Sequence, residues 1–183
     1  MKRTVLVKMT ALLCLSALFF SQSFAQTDKS KRASPPATAK GTIKGAMITI
    51  DYSSPSVKGR TIWGGLVPYG KVWRAGANEA TIFTTSKDIE VEGKKLPAGK
   101  YSLFMTPNQN EWTVFFNSET GQWGDNKNGD ANMDASKTVL QVTVKPKDVK
   151  DVQETLLYTI VDKDFEKGFA LTWDKERVFV SVK

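Results

Sequence analysis

The sequence predicts an all-β protein, an antiparallel β-sandwich or jelly-roll-like fold of about nine or ten short strands, and three observations carry that expectation. From residue 46 almost to the end, apolar and polar residues alternate at period two. Clusters of Gly, Pro, Asn and Asp separate the alternating runs. No amphipathic stretch is long enough for a helix of more than two turns, although "KPKDVKDVQE" can hold one short turn.

Three regions are expected along the 183 residues. Residues 1–25 read as a signal peptide, with Lys2, Arg3 and Lys8, then an apolar run over Ala11 to Phe20, then Ser23-Phe24-Ala25. The apolar run is shorter than the roughly 20 residues that span a bilayer, so cleavage after Ala25 and export to the periplasm or medium are expected, with no stable transmembrane segment left. Cys14, the only cysteine, follows Leu13 rather than a small residue, which argues against lipid attachment. The chain beyond the leader then lacks thiols, so it folds without disulfides and binds no metal through thiolates. Residues 26–45 have one large apolar residue, Ile43, among Lys, Ser, Ala and Pro, and are expected to be a disordered basic linker. Residues 46–183 are expected to be the sandwich domain.

The formal net charge of +7 does not belong to that domain. Once Lys2, Arg3, Lys8, Lys29, Lys31, Arg32, Lys40, Lys44 and Asp28 are set aside, bases and acids balance from residue 46 onward. No nucleic-acid partner is expected.

Within the domain, "AMITIDY", "TVLQVTVK" and "RVFVSVK" have one apolar face each, as half-buried strands do. "GKYSLFMT" and "EWTVFFN" carry large apolar residues on both faces, which predicts central strands covered on both sides. In "LPAGKYSLF" a Pro/Gly turn delivers Tyr101 to a strand start, where a hydroxyl bonded back to the turn makes a tyrosine corner.

The residue inventory narrows the chemistry. With no histidine anywhere, His-based triads, imidazole acid/base catalysis and His-based zinc sites are excluded. "IWGGLVPYG" lacks the Lys and Ser/Thr of a phosphate loop. Glu79, Glu111, Asp125 and Glu154 are carboxylates that paired hydrolytic chemistry would need. "GDANMDAS" spaces Asp130, Asn132 and Asp134 like the first ligands of a calcium loop, but Ala135 and Gln141 stand where such a loop needs Gly and Glu, so a polar surface loop is expected. No metal and no cofactor are expected.

Of five tryptophans, Trp112 and Trp173 fall in phase with core positions, whereas Trp63, Trp73 and Trp123 sit at loop-like junctions where a ring can stack on a sugar or another flat ligand. "KVWRAGANEAT" concentrates Arg74, Asn78 and Glu79 in a turn-rich stretch. With Lys58, Arg60, Trp73 and Trp123 these form the candidate ligand site. If buried, Arg74 and Glu79 are expected to pair as a structural staple; if they line a cleft, they suit a carboxylate, phosphate or sugar.

"DYSSPSVKGRTIWGGLVPYGKVWRAGANEATIF", "LPAGKYSLF", "EWTVFFN" and "QWG", in this order, resemble the domain of unknown function 2911 family of secreted or envelope-associated bacterial proteins. The resemblance covers residues 46–183 and implies no activity. The expected function is a secreted or periplasmic, non-catalytic module that binds a small molecule, a glycan or an envelope protein. The alternatives are a carboxylate- or metal-dependent hydrolase and a structural envelope scaffold.

Overall fold

The computed structural model describes residues 28–183, so the leader expected over residues 1–25 lies outside the described residues. The fold is all-β. A six-stranded antiparallel sheet has the order β1 (Pro36–Ile43), β2 (Ala46–Ser53), β3 (Thr81–Thr85), β6 (Gly99–Thr106), β7 (Trp112–Asn117), β8 (Thr138–Val144). A small hairpin, β4 (Ile89–Val91) and β5 (Lys94–Leu96), and a long one, β9 (Pro146–Lys163) and β10 (Glu166–Ser181), complete the domain. Among the described residues no helix is long and apolar enough to cross a membrane.

The period-two pattern becomes a two-layer core. Ile48 and Ile50 of β2, Phe83 of β3, Leu103 and Met105 of β6, Val114 and Phe116 of β7 and Val142 of β8 share one buried cluster. Leu156 and Tyr158 of β9 join it with Phe169, Leu171 and Trp173 of β10, so the long hairpin covers that face. Of the two strands expected to be covered on both sides, β6 is: Ser102 and Phe104 are fully buried on the opposite face, where Ser102 Oγ donates to Gln122 Oε1 at 3.3 Å, whereas Thr113 and Phe115 leave that face of β7 half-buried. Tyr101 makes the expected corner, its hydroxyl donating to Pro97 O at 2.9 Å.

The expected linker over residues 26–45 is described from residue 28, and most of that part is ordered structure. Pro36–Ile43 is a full edge strand, in register with β2 from Pro36↔Ser53 to Ile43↔Ala46. Lys44 and Gly45, at φ 47° and 79°, close the hairpin with the two positive-φ residues that a type I′ turn needs. The small side chains of β1 have a packing cause: a Cβ at Gly41 would stand 2.7 Å from Ile160 Cγ2 of β9. Low hydrophobicity here reflects close approach of the lid hairpin, not lack of a fold.

Two strands are long rather than short, and "KPKDVKDVQE" is strand instead of a helical turn, because Pro146 to Asp148 pair with Val178 to Glu176. The register of β10 shifts on both sides of Asp174, which adopts φ 53°. This bulge brings Glu176 beside Asp148 and Asp174. Burial, then the charges of Asp148 and Asp174, push the Glu176 carboxyl up to about 7.

Four tryptophans meet in the core. Trp63 lies edge-on to Trp73, Trp112 and Trp173 at centroid distances of 5.8, 4.7 and 5.7 Å, and Trp73 stacks on Trp173 at 6.1 Å. Each such ring removed to Ala is worth about 3–5 kcal/mol of packing. Trp63, expected at a loop junction as a stacking platform, is therefore core, because the crossover from β2 folds inward at Ile62 and Trp63.

Candidate functional site

The stretch around Arg74 is an interruption in the lane of β3. Thr81 pairs with Leu103 of β6, while Trp73 exchanges backbone hydrogen bonds of 2.7 and 2.9 Å with Met105, so only Phe104 separates the two rungs. Residues 74–80 thus leave and re-enter the sheet where a regular strand would place a single residue. Ala75 and Asn78 take φ 54° and 60° to make this possible. The Ala75 carbonyl anchors the excursion, accepting from the Tyr158 hydroxyl at 2.9 Å and Thr81 Oγ1 at 3.0 Å. Trp73 Nε1 donates to Gly76 O at 3.1 Å.

A second segment, residues 122–125, runs beside the excursion. Gly124 N donates to Asn78 O at 3.0 Å and Ala80 N to Gln122 O at 3.2 Å. Arg74 lies across Gly124 so closely that a Cβ there would stand 2.1 Å from Arg74 Cδ and 2.8 Å from Arg74 Cβ. Glycine is required here by contact. Arg74 Nη1 then reaches Asp125 Oδ2 in a largely covered ion pair. Arg74 Nε is buried and has no hydrogen-bond partner among the described residues.

Two cavities flank Arg74. A groove of about 610 Å³ runs between residues 66–74 and 125–131, with Lys71, Arg74, Asp125 and Asp130 as its charged groups and Leu66, Val72 and Trp73 as apolar surface. A smaller cavity of about 180 Å³ adjoins it and has Leu66, Val67, Trp73 and Arg74 in common with the groove. Its remaining wall includes Arg60, Ser34 and Trp173.

Glu79 faces a different partner. Arg32 Nη1 donates to both Glu79 oxygens at 3.0 and 2.9 Å, and Lys29 Nζ lies 2.9 Å from Oε1. Burial raises the carboxyl, but hydrogen bonds from Lys29, its own backbone and Arg32, with the charge of Lys29, outweigh burial and hold it at about 2. Arg32 also stands 6.0 Å from the ring centre of the exposed Trp123, and Asn78 Nδ2 donates to Ser34 O at 3.0 Å. Residues 28–34 are thus a strap fastened over the excursion.

The candidate residues fall into two groups instead of one cluster. Arg60, Trp73 and Arg74 border the cavities, Trp73 as a core residue rather than an exposed platform. Asn78, Glu79 and Trp123 belong to the strap contact. Lys58 belongs to neither: it is exposed at φ 48° on the crossover, its backbone N–H bonded to Glu154 Oε1 at 3.0 Å. The pairing of Arg74 with Glu79 expected on burial is replaced by Arg74–Asp125 and Arg32–Glu79, because Arg74 lies against Gly124 and Asp125 whereas Glu79 meets Lys29 and Arg32 of the strap. Gly124 and Arg32 are not among the sequence candidates, and Asp130 is named there only in a calcium-like spacing. The Gly-Asp pair in "QWGDN", beside a loop tryptophan, is the sequence signal that could have found Gly124; Arg32 carries none.

In the loop following the groove, Asp134 Oδ1 accepts from Ser136 N and Oγ at 2.9 and 2.6 Å, and Asn132 Nδ2 donates to Trp123 O at 3.1 Å. These side chains hold the loop's own shape. No group of three or more Asp, Glu, His or Cys side chains arranged to hold a metal occurs among the described residues.

A family model described as "Protein of unknown function (DUF2911)" matches residues 34–182. No curated protein and no solved structure matches the chain.

Proposed function

The chain belongs to this DUF2911 family of unknown function, which carries no activity with it, and we propose that it is a secreted or periplasmic, non-catalytic module that binds a small polar molecule or glycan in the groove beside Arg74. The carrying observation is the groove itself, about 610 Å³, lined by charged groups of both signs together with apolar surface. That size and mixture suit a ligand fixed by a few polar contacts. The Arg74–Asp125 pair engages the central carboxylate, so Asp125 serves as a fixed acceptor and not as a free nucleophile or base. The leader, with its apolar run and Ser-Phe-Ala end, supports export.

The test is a thermal-shift and NMR screen of neutral glycans, amino acids and small polar metabolites against wild type and Asp125→Asn. Binding should move amide resonances of residues 66–74 and 125–131 and weaken in the variant. A ligand that leaves both segments unmoved places recognition elsewhere.

A further inference from the structure

We propose that the small cavity beyond Arg74 is an oxyanion site that takes the carboxylate or phosphate end of a ligand whose body lies in the groove. The inference rests on the groove reading and adds the chemical class of one end of the ligand.

Charge is the first argument. The wall of the small cavity carries two arginines, Arg60 and Arg74, and no Asp or Glu. Arg74 is compensated by Asp125 on its other side, but Arg60 has no carboxylate partner among the described residues. Arg60 spends Nε on Val57 O at 3.1 Å and Nη2 on Ser56 O at 2.5 Å. These bonds orient the guanidinium and leave further N–H donors of its five unspent. An oriented guanidinium is suited to carboxylate and phosphate.

Unspent buried donors are the second argument. Arg74 Nε and Trp173 Nε1 belong to residues in the wall of this cavity, and both are buried without a hydrogen-bond partner among the described residues. Buried N–H groups left unpaired are costly; both are closed off from the cavity as the side chains stand, and a small turn of either side chain would bring its N–H to an acceptor there. An oxyanion offers several acceptor positions at once, whereas a hydroxyl offers fewer and carries no charge for Arg60.

Size and continuity are the third. About 180 Å³ is below the roughly 300–1,000 Å³ of sites that enclose a whole ligand, so it fits one end group. Leu66, Val67, Trp73 and Arg74 border both cavities, which makes them neighbouring compartments.

The experiment uses the chain with its tryptophan indoles labelled with ¹⁵N, titrated with acetate, inorganic phosphate and sulfate at constant ionic strength against a chloride control. The expected result is a saturable shift of the Trp173 indole N–H with at least one anion, while Trp112, absent from the cavity wall, stays in place. A response to acetate alone identifies a carboxylate end group, and a response to phosphate and sulfate a tetrahedral one. Arg60→Gln, an exposed position whose bonds go only to nearby carbonyls, should weaken the response about tenfold or more. The proposal is overturned if no anion moves Trp173 saturably, or if Arg60→Gln responds as wild type does. Neutral ligands that move residues 125–131 while no anion moves Trp173 would leave the groove standing and remove the oxyanion site. Anions that move Trp173 while no neutral ligand moves the groove would do the reverse.

Discussion

Arg32 and Glu79, 47 residues apart, are joined through one guanidinium nitrogen that donates to both carboxylate oxygens at 3.0 and 2.9 Å. The contact fastens the strap that precedes β1 onto the excursion that interrupts β3. It also frees Arg74 to turn toward Asp125 and the cavities.

Strap attachment should depend on acid. The Glu79 carboxyl lies at about 2 in the folded chain against an ordinary 4.5, so its stabilisation is complete above about 4.5 and is lost as pH falls toward 2. Glu79 is about one-third exposed, which limits the worth of the contact to about 1 kcal/mol. The Trp123 indole resonance should shift across this window in wild type and stay flat in Arg32→Ala. An identical profile in both would show that the strap does not report on Glu79.

Removing either member of the Arg74–Asp125 pair should be felt more strongly. The side chains are 23% and 26% exposed, between a surface pair and a buried one, so Arg74→Ala or Asp125→Ala should each cost about 2 kcal/mol in urea unfolding. The double variant should lose less than the sum of the two. Strict additivity would dissolve the pair as an energetic unit.

Tyr158→Phe deletes one of the two donors to the Ala75 carbonyl without opening a cavity. A loss of about 1 kcal/mol is expected, because Thr81 Oγ1 still satisfies that oxygen. Amide exchange across residues 74–80 should accelerate while the centre of the six-stranded sheet stays protected. Uniform acceleration everywhere would mean that the hydroxyl holds the whole fold and not the excursion.

Glu176 should act in the opposite direction to Glu79. Its folded value of about 7 lies above the ordinary 4.5, so the folded state holds the proton more tightly and stability falls as pH rises from 4.5 through 7. Glu176→Gln should flatten that slope and gain about 1 kcal/mol at pH 8, a figure reduced for the carboxyl's partial exposure. Thermal melts between pH 5 and 8 measure it, and parallel curves for the two proteins would refute it.

Strand periodicity was legible because it follows from burial of one face, and the Tyr101 corner because its turn chemistry is local. Strand β1 was hidden by its small residues, since the reason for them is a side chain on β9 more than a hundred positions away. The same limit governs the site. Local density singles out residues 71–81, but pairing depends on which way each side chain leaves an irregular backbone. Asp125 stood out only as one acid among many, and Arg32 lay in a segment whose composition reads as linker. Trp63 was misplaced because a tryptophan followed by Gly64 and Gly65 reads as a loop tip, whereas here the crossover plunges into the core.

The excursion at residues 74–80 leaves the hydrogen-bonded lane and returns to it without shifting the rungs on either side. Its length is therefore decoupled from the architecture of the sheet. Such a segment behaves as a cassette: residues can be added or exchanged within it while Trp73 and Thr81 keep their places opposite Met105 and Leu103. What the cassette must retain is the Ala75 carbonyl for the Tyr158 and Thr81 hydroxyls, a residue without a side chain at Gly76, where a Cβ would stand 2.7 Å from Thr81 Oγ1, and the Arg74 and Glu79 side chains that fasten it to Asp125 and the strap.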